Sequence, residues 1–186
     1  SVASAERSPC TIARELHELL SRAGLAPPYV LVGHSLGGLY QYCYARLFPQ
    51  EVAGLVLLDP THPEHWQTMQ GDAAVMATLV KGFRLTLFSR AMRQEFDAQE
   101  ECLSELDTGQ PLVAPARLLF SGRFRLPEQG AFEDMARKLR TQWVTLFAAA
   151  EAREVADAGH YLQKDAPEEV AGAILTLVRP PAADAQ

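Results

Sequence analysis

Apolar positions along the chain change period several times, and each change predicts an element. Over residues 8–23, Ile12, Leu16, Leu19 and Leu20 fall on one helical face, with Ser8 placed to N-cap, Pro9 in the first turn and Gly24 as a stop. Pro27 and Pro28 break the chain before Tyr29-Val30-Leu31-Val32, a continuous apolar run that suits a strand buried on both faces. Gly33 to Gly38 predicts a turn. A helix then reaches about Phe48, with Leu39, Tyr40, Cys43, Tyr44 and Leu47 inward. Pro49 ends it, and Val52 to Leu58 reads as a second buried strand closing at Asp59-Pro60. Strand, helix, strand over so short a span is a βαβ unit, which implies a parallel sheet.

Residues 61–112 lack a clear strand and show helical stretches around 72–81 and 88–106. The next strand, Ala116 to Ser121, follows Pro111 and Pro115. An insertion of this length predicts a helical cap over one end of the sheet; the alternative is an ordinary pair of packing helices. A helix over 128–141 and a weaker strand, Ala152 to Ala156, come next. In the last helix Asp165 and Glu168 form a D-x-x-E capping box, Pro167 sits in the first turn, and Val170, Ile174, Leu177 and Val178 face inward. Pro180-Pro181 stops it, leaving 182–186 as a frayed tail. The expected architecture is α/β: a mostly parallel sheet flanked by helices, with its core in 1–60 and 113–186 and a helical cap over 61–112.

Composition narrows the function classes. The 186 residues are 48% hydrophobic and 22% charged, average for one globular domain, and carry a net charge of −6. That charge argues against nucleic acid and an anionic membrane surface as partners, and no apolar run approaches the ~20 residues of a spanning helix. Cys10, Cys43 and Cys102 are far apart with no C-x-x-C, which reads as reduced, intracellular thiols. His62 and His65 beside Trp66 read as a surface loop pair rather than zinc ligands, so no metal or cofactor is expected. The chain opens with neither a secretory signal nor a methionine, and a cytoplasmic location is the working expectation.

Chemistry concentrates at Gly33-His34-Ser35-Leu36-Gly37, which matches G-x-S-x-G between a predicted strand and a predicted helix. A nucleophilic hydroxyl must stand clear of the strand end, so the backbone turns sharply and glycines flank the serine. The helix that follows aims free N–H groups at the site, and the N–H of Leu36 can hold an oxyanion. Residues 29–59, YVLVGHSLGGLYQYCYARLFPQEVAGLVLLD, resemble the nucleophile strand, turn, helix and next strand of the α/β-hydrolase superfamily. Residues 159–170, GHYLQKDAPEEV, resemble its histidine loop and the start of its last helix.

A serine nucleophile needs a base, and histidine titrates near neutrality. His17 reads as a surface residue and His34 as a packing or pocket-lining one, while His62 and His65 follow the second strand. His160 lies on a loop at the same sheet edge as Ser35 and is the expected base; serine first and histidine last fits the resemblance. That resemblance also implies an acid after the strand 116–121, in a pattern like G-x-x-D, but this chain reads Gly122-Arg123-Phe124-Arg125. Some members place the acid at the end of the strand after the nucleophile helix, where Asp59 stands, and Asp59 is the favoured acid here. Glu128 is held in reserve, and Asp157 is too close to His160 along the chain.

The resemblance further implies several strands before the nucleophile strand, including a loop giving a second oxyanion N–H. Nothing in 1–28 reads as that loop, so the chain looks like a fragment or a shortened relative. Loss of one oxyanion donor costs roughly 2.7–4 kcal/mol of transition-state stabilisation. The expected function is a serine hydrolase acting on a small-molecule ester or related acyl compound. The alternatives are acyl transfer on the same residues or a non-catalytic remnant.

Overall fold

The computed structural model describes residues 7–178. Four strands, β1 (Tyr29–His34), β2 (Val52–Leu58), β3 (Ala116–Ser121) and β4 (Ala150–Val155), form one sheet in the order β1-β2-β3-β4, every neighbouring pair parallel. Helix α1 (Pro9–Arg22) precedes the sheet and α2 (Leu36–Leu47) joins β1 to β2. Four helices, α3 (His65–Asp72), α4 (Ala74–Leu87), α5 (Arg90–Asp97) and α6 (Gln99–Glu105), lie between β2 and β3. Helix α7 (Ala131–Thr145) joins β3 to β4, and α8 (Leu162–Asp165) and α9 (Pro167–Val178) close the described chain.

Strand alternation splits the core into two layers. Leu55, Leu57, Leu118 and Phe120 face α1 and α2 with Tyr42, Trp143 and Phe147. Val56, Leu58 and Leu119 face α8 and α9 with Leu162 and Val170. The two central strands are therefore apolar on both faces, as a parallel sheet requires. Strand β1 departs from that expectation, because Val32 is 40% exposed. It stands at one edge of the sheet, and α9 covers only its Val30 end. At the other edge β4 is mostly exposed, which explains its weak apolar signature.

The α1 boundaries follow their signals. Ser8 Oγ accepts from Thr11 N at 3.1 Å, and Gly24 takes φ 70°. The insertion is more broken than the periodicity predicts. Its helices stop at Ala73 and Ala98, residues of high helix propensity, and both are buried. Packing sets those corners, not propensity. Met69, Ala73 and Ala77 pack on Met135 and Leu139 of α7, fixing the insertion over the sheet's carboxyl end. Asp165 does not cap α9. It ends α8, and its Oδ2 accepts from Gly159 N at 2.8 Å.

The expectation of reduced cysteines is overturned. Cys10 of α1 and Cys102 of α6 are joined by a disulfide, their Cα atoms 5.4 Å apart. A separation of 92 residues carries no spacing signature, and only the packing of α6 on α1 brings the two together. Disulfides persist in oxidising compartments, so the cysteines no longer support a cytoplasmic location. Cys43 stays a buried free thiol. No helix among the described residues is long and apolar enough to cross a membrane. The predicted tail, 182–186, lies outside the described residues.

Candidate active site

The carboxyl end of the sheet gathers the chemistry. Ser35 ends the β1 turn with φ 54° and ψ −124°, and Asp59 ends β2 with φ 41°; these are the only non-glycine residues at positive φ among those described. Backbone bonds hold the first strain in place. Ser35 N–H donates to Leu58 O at 2.9 Å, and Ser35 O accepts from Thr61 N at 3.0 Å and from Gly38 N at 2.9 Å. Asp59 N–H donates to Leu119 O at 2.7 Å, clamping the second. Close approach explains two of the glycines. A Cβ on Gly33 would lie 2.5 Å from Gly37 O, and one on Gly38 would lie 2.6 Å from Pro60 Cβ. Gly37 meets nothing within 4 Å, so the crowding expected there falls on Gly38 instead.

The structure brings together the three residues singled out from the sequence. His160 Nε2 accepts from Ser35 Oγ at 3.1 Å, and Nδ1 donates to Asp59 Oδ2 at 2.8 Å. This tautomer follows from the carboxylate, which can only accept. His34 Nε2 donates to His160 O at 2.7 Å, and the two rings lie 4.6 Å apart, so the residue before the serine braces the histidine loop. Leu36 is the first residue of α2, where helical N–H groups have no intrahelical acceptor. Glu128 is not drawn into this chain of bonds; its Oε2 accepts from Arg125 N at 2.8 Å. Asp157 is exposed.

Two partners of Asp59 were not foreseen. Ser121 Oγ, at the end of β3, donates to Asp59 Oδ2 at 3.0 Å. Arg140 Nη2 donates to Asp59 Oδ1 at 3.1 Å and to Ser121 Oγ at 2.9 Å, while Nη1 reaches Glu154 Oε2 at 3.3 Å. The guanidinium also lies over the Phe120 and Phe124 rings. Burial alone would raise the Asp59 carboxyl. The bond from His160, the charges of Arg140 and His160 and the bond from Ser121 outweigh it, and hold the group below the usual carboxylate range. The sequence marks a helix over 128–141 but no inward face on it, so only the α7 register reveals Arg140.

A cavity of about 220 Å³ opens beside Ser35 and His160, walled by Phe120, Phe124, Phe132, Leu139 and Trp143. Its aromatic wall therefore comes from β3, α7 and the turn between them. Of Trp66, Phe83, Phe88 and Phe96, the insertion aromatics that the sequence offers as possible pocket-lining residues, Trp66 lines a neighbouring cavity, and the side chains of Phe83 and Phe96 lie outside the described residues. Phe88 is half-buried. His62 and His65 do line this cavity, and His62 is only 4% exposed, which overturns their reading as a surface pair. Burial pushes both imidazoles down to about 4. Among the described residues, none before Ser35 lines this cavity.

A parallel sheet with a strained serine turn at its carboxyl end, and a histidine and a carboxylate beside it, defines an α/β hydrolase fold. The chain belongs to the alpha/beta hydrolase family, whose model matches residues 4–173. Among curated proteins it is 25% identical over 167 residues to the uncharacterized protein YqjL of Bacillus subtilis, covering 89% of this chain and 63% of that protein. It is 28% identical over 80 residues to the uncharacterized protein YbdG of the same organism, covering 43% of this chain and 24% of that one. The chain thus spans less than two thirds of either relative. Solved structures with the same fold include a thermophilic esterase from Thermogutta terrifontis, with 19% identity, TM-score 0.60 and 96% of this chain covered against 75% of that one. Another is an alpha/beta hydrolase enzyme from a lagoon-sediment metagenome, with 18% identity, TM-score 0.61 and 95% against 72%.

Proposed function

We propose that this chain is a serine hydrolase that cleaves a small-molecule ester or related acyl bond through an acyl-serine intermediate. One observation carries the reading: the run of hydrogen bonds from Ser35 Oγ through the His160 ring to Asp59. As Oγ attacks the carbonyl carbon, its proton passes to His160 Nε2 and the carbonyl oxygen becomes an oxyanion that the Leu36 N–H receives. Nε2–H then protonates the departing alkoxide as the C–O bond breaks, leaving Ser35 acylated. Water, activated by the same nitrogen, attacks the acyl carbon and restores the serine.

Asp59 holds the ring with Nδ1 protonated and stabilises the imidazolium between the two proton transfers. The His160 side chain is 44% exposed, which gives water ready access to the acyl-serine and favours hydrolysis over transfer to another alcohol. The helices of 61–112 serve as a cap, closing the cavity over the substrate. A non-catalytic remnant would have no reason to keep two residues at positive φ and a completed hydrogen-bond run.

A fluorophosphonate probe tests the reading. The folded chain is expected to be labelled, and Ser35→Ala to lose all labelling; a folded, unlabelled wild type overturns it. Product analysis in water with and without an alcohol acceptor then separates hydrolysis from acyl transfer.

A further inference from the structure

Nearly every polar side chain that lines the Ser35 cavity is already engaged. Asp59, Ser121 and Arg140 bond one another, Glu128 accepts from Arg125 N, and Arg123 pairs with Asp165. His62 accepts from Glu64 N through Nδ1, and its Nε2 is fully buried. Thr61 and His65, which follow β2 in the chain, are the exceptions. Neither side chain has a hydrogen-bond partner among the described residues.

His65 is the larger group and is firmly seated. It opens α3, its backbone N–H donates to His62 O at 2.9 Å, and its ring stands edge-on to Phe132 with centroids 6.0 Å apart. It lines the Ser35 cavity and not the neighbouring one. Neither ring nitrogen is fully buried, so both can be reached from open space. The ring is close enough to Asp59 and His160 to feel the charge of each, which places that open space beside the reacting groups. Burial keeps the imidazole uncharged at neutral pH. A neutral imidazole offers one N–H and one bare nitrogen. A substrate carboxylate could use only the first and an ammonium only the second, and either charge would lose its water against the aromatic wall. A hydroxyl both donates and accepts, so it can bond whichever nitrogen faces it.

We propose that the His65 imidazole is a substrate-binding group, which hydrogen-bonds a hydroxyl that the substrate carries beyond its scissile bond. This rests on the acyl-serine reading of Ser35. It assigns a substrate class, hydroxyl-bearing esters in preference to plain alkyl esters, and a specificity role to His65. An alkyl group in the same place would take the ring nitrogens out of water without pairing them, and that cost makes such a site selective.

Paired isosteres test it. On the acyl side, p-nitrophenyl 3-hydroxybutanoate is compared with p-nitrophenyl 3-methylbutanoate; on the alcohol side, 2-hydroxyethyl butanoate with propyl butanoate. The kcat/KM ratio within each pair is measured for the wild type, His65→Phe, His65→Asn, His65→Gln and Thr61→Val, so that intrinsic reactivity cancels. Phe keeps a ring against Phe132 and removes both nitrogens; Asn and Gln restore polar atoms near Nδ1 and Nε2 respectively. In at least one pair the hydroxyl-over-methyl ratio is expected to fall about 10-fold in His65→Phe and to recover in His65→Asn or His65→Gln. Ratios unchanged by Phe in both pairs, or lowered equally by Phe, Asn and Gln, overturn the proposal. A fall confined to Thr61→Val overturns it in favour of the threonine hydroxyl.

Should the variants fail to fold, the wild type decides it. The His65 ring nitrogen resonances are expected to differ between enzyme blocked at Ser35 by a phosphonate carrying a 2-hydroxypropyl or 2-hydroxyethoxy chain and enzyme blocked by its isobutyl or propoxy isostere. Identical resonances in both pairs overturn the assignment. Fluorophosphonate labelling separates the two levels: a labelled enzyme with unchanged ratios defeats only the role of His65, whereas a folded, unlabelled wild type defeats the reading beneath it.

Discussion

Asp59 receives hydrogen bonds from His160, Ser121 and Arg140, and the last is a cation in a largely buried place, with Arg140 and Asp59 side chains 12% and 15% exposed. Removing one member of such a pair leaves the other charge buried alone. Arg140→Met is therefore expected to lower stability by about 3 kcal/mol, read from chemical denaturation, while Arg123→Met at the exposed pair with Asp165 changes it little. Asp59→Asn should cut turnover far more than Glu128→Gln, because only Asp59 touches His160. The reverse order in kcat would move the acid to Glu128. His62 adds a pH effect. Burial depresses it from 6.5 to about 4, so the unfolded chain takes up its proton first as pH falls. Its contribution is complete above pH 6.5 and lost progressively towards pH 4, on the order of 3 kcal/mol in all. His65 is depressed as far, so His62→Asn should lessen the fall of the denaturation midpoint across that window without abolishing it, and an unaltered slope would show that the His62 ring titrates normally.

At the scale of elements, the serine turn was legible because its sterics are local. A continuous apolar run, G-x-S-x-G and an inward-facing helix follow one another without a gap, and each fits the next. Even so, the sequence pattern points to Gly37 as a crowded position, and the packed structure moves that constraint to Gly38, against Pro60 of the following strand's end. Gly37→Ala is expected to fold, label with fluorophosphonate and gain a few tenths to about 1 kcal/mol from helix propensity. Gly38→Ala should lose labelling or fold poorly, since its Cβ has no room. Equal behaviour of the two would remove the steric account of the turn. Elements set by distant packing were not legible. The breaks at Ala73 and Ala98, and Arg140 turning from a charged helix onto Asp59, depend on which surfaces meet, and no local spacing records that.

At the scale of the whole molecule, the disulfide changes how the insertion is held. Without it, α6 would rest on α1 through side-chain packing and the exposed Arg14–Glu105 ion pair; with it, the loop between Cys10 and Cys102, which includes the serine turn and most of the insertion, is closed covalently. Closing a loop of 92 residues restricts the unfolded chain, and in the chain-entropy model is worth up to about 4.7 kcal/mol. Cys43 Sγ lies 4.0 Å from Cys102 Sγ, close enough to exchange, but burial pushes its thiol up to about 12, and exchange requires the thiolate. The bond should therefore keep its pairing while the chain stays folded. Protein purified without reductant is expected to show one free thiol, and that one only after denaturation. Reductant should lower the melting temperature by several degrees and shift it no further in Cys10→Ser. Three titratable thiols in the unreduced protein, or a melting temperature indifferent to reductant, would return the cysteines to the reduced state that their spacing suggests.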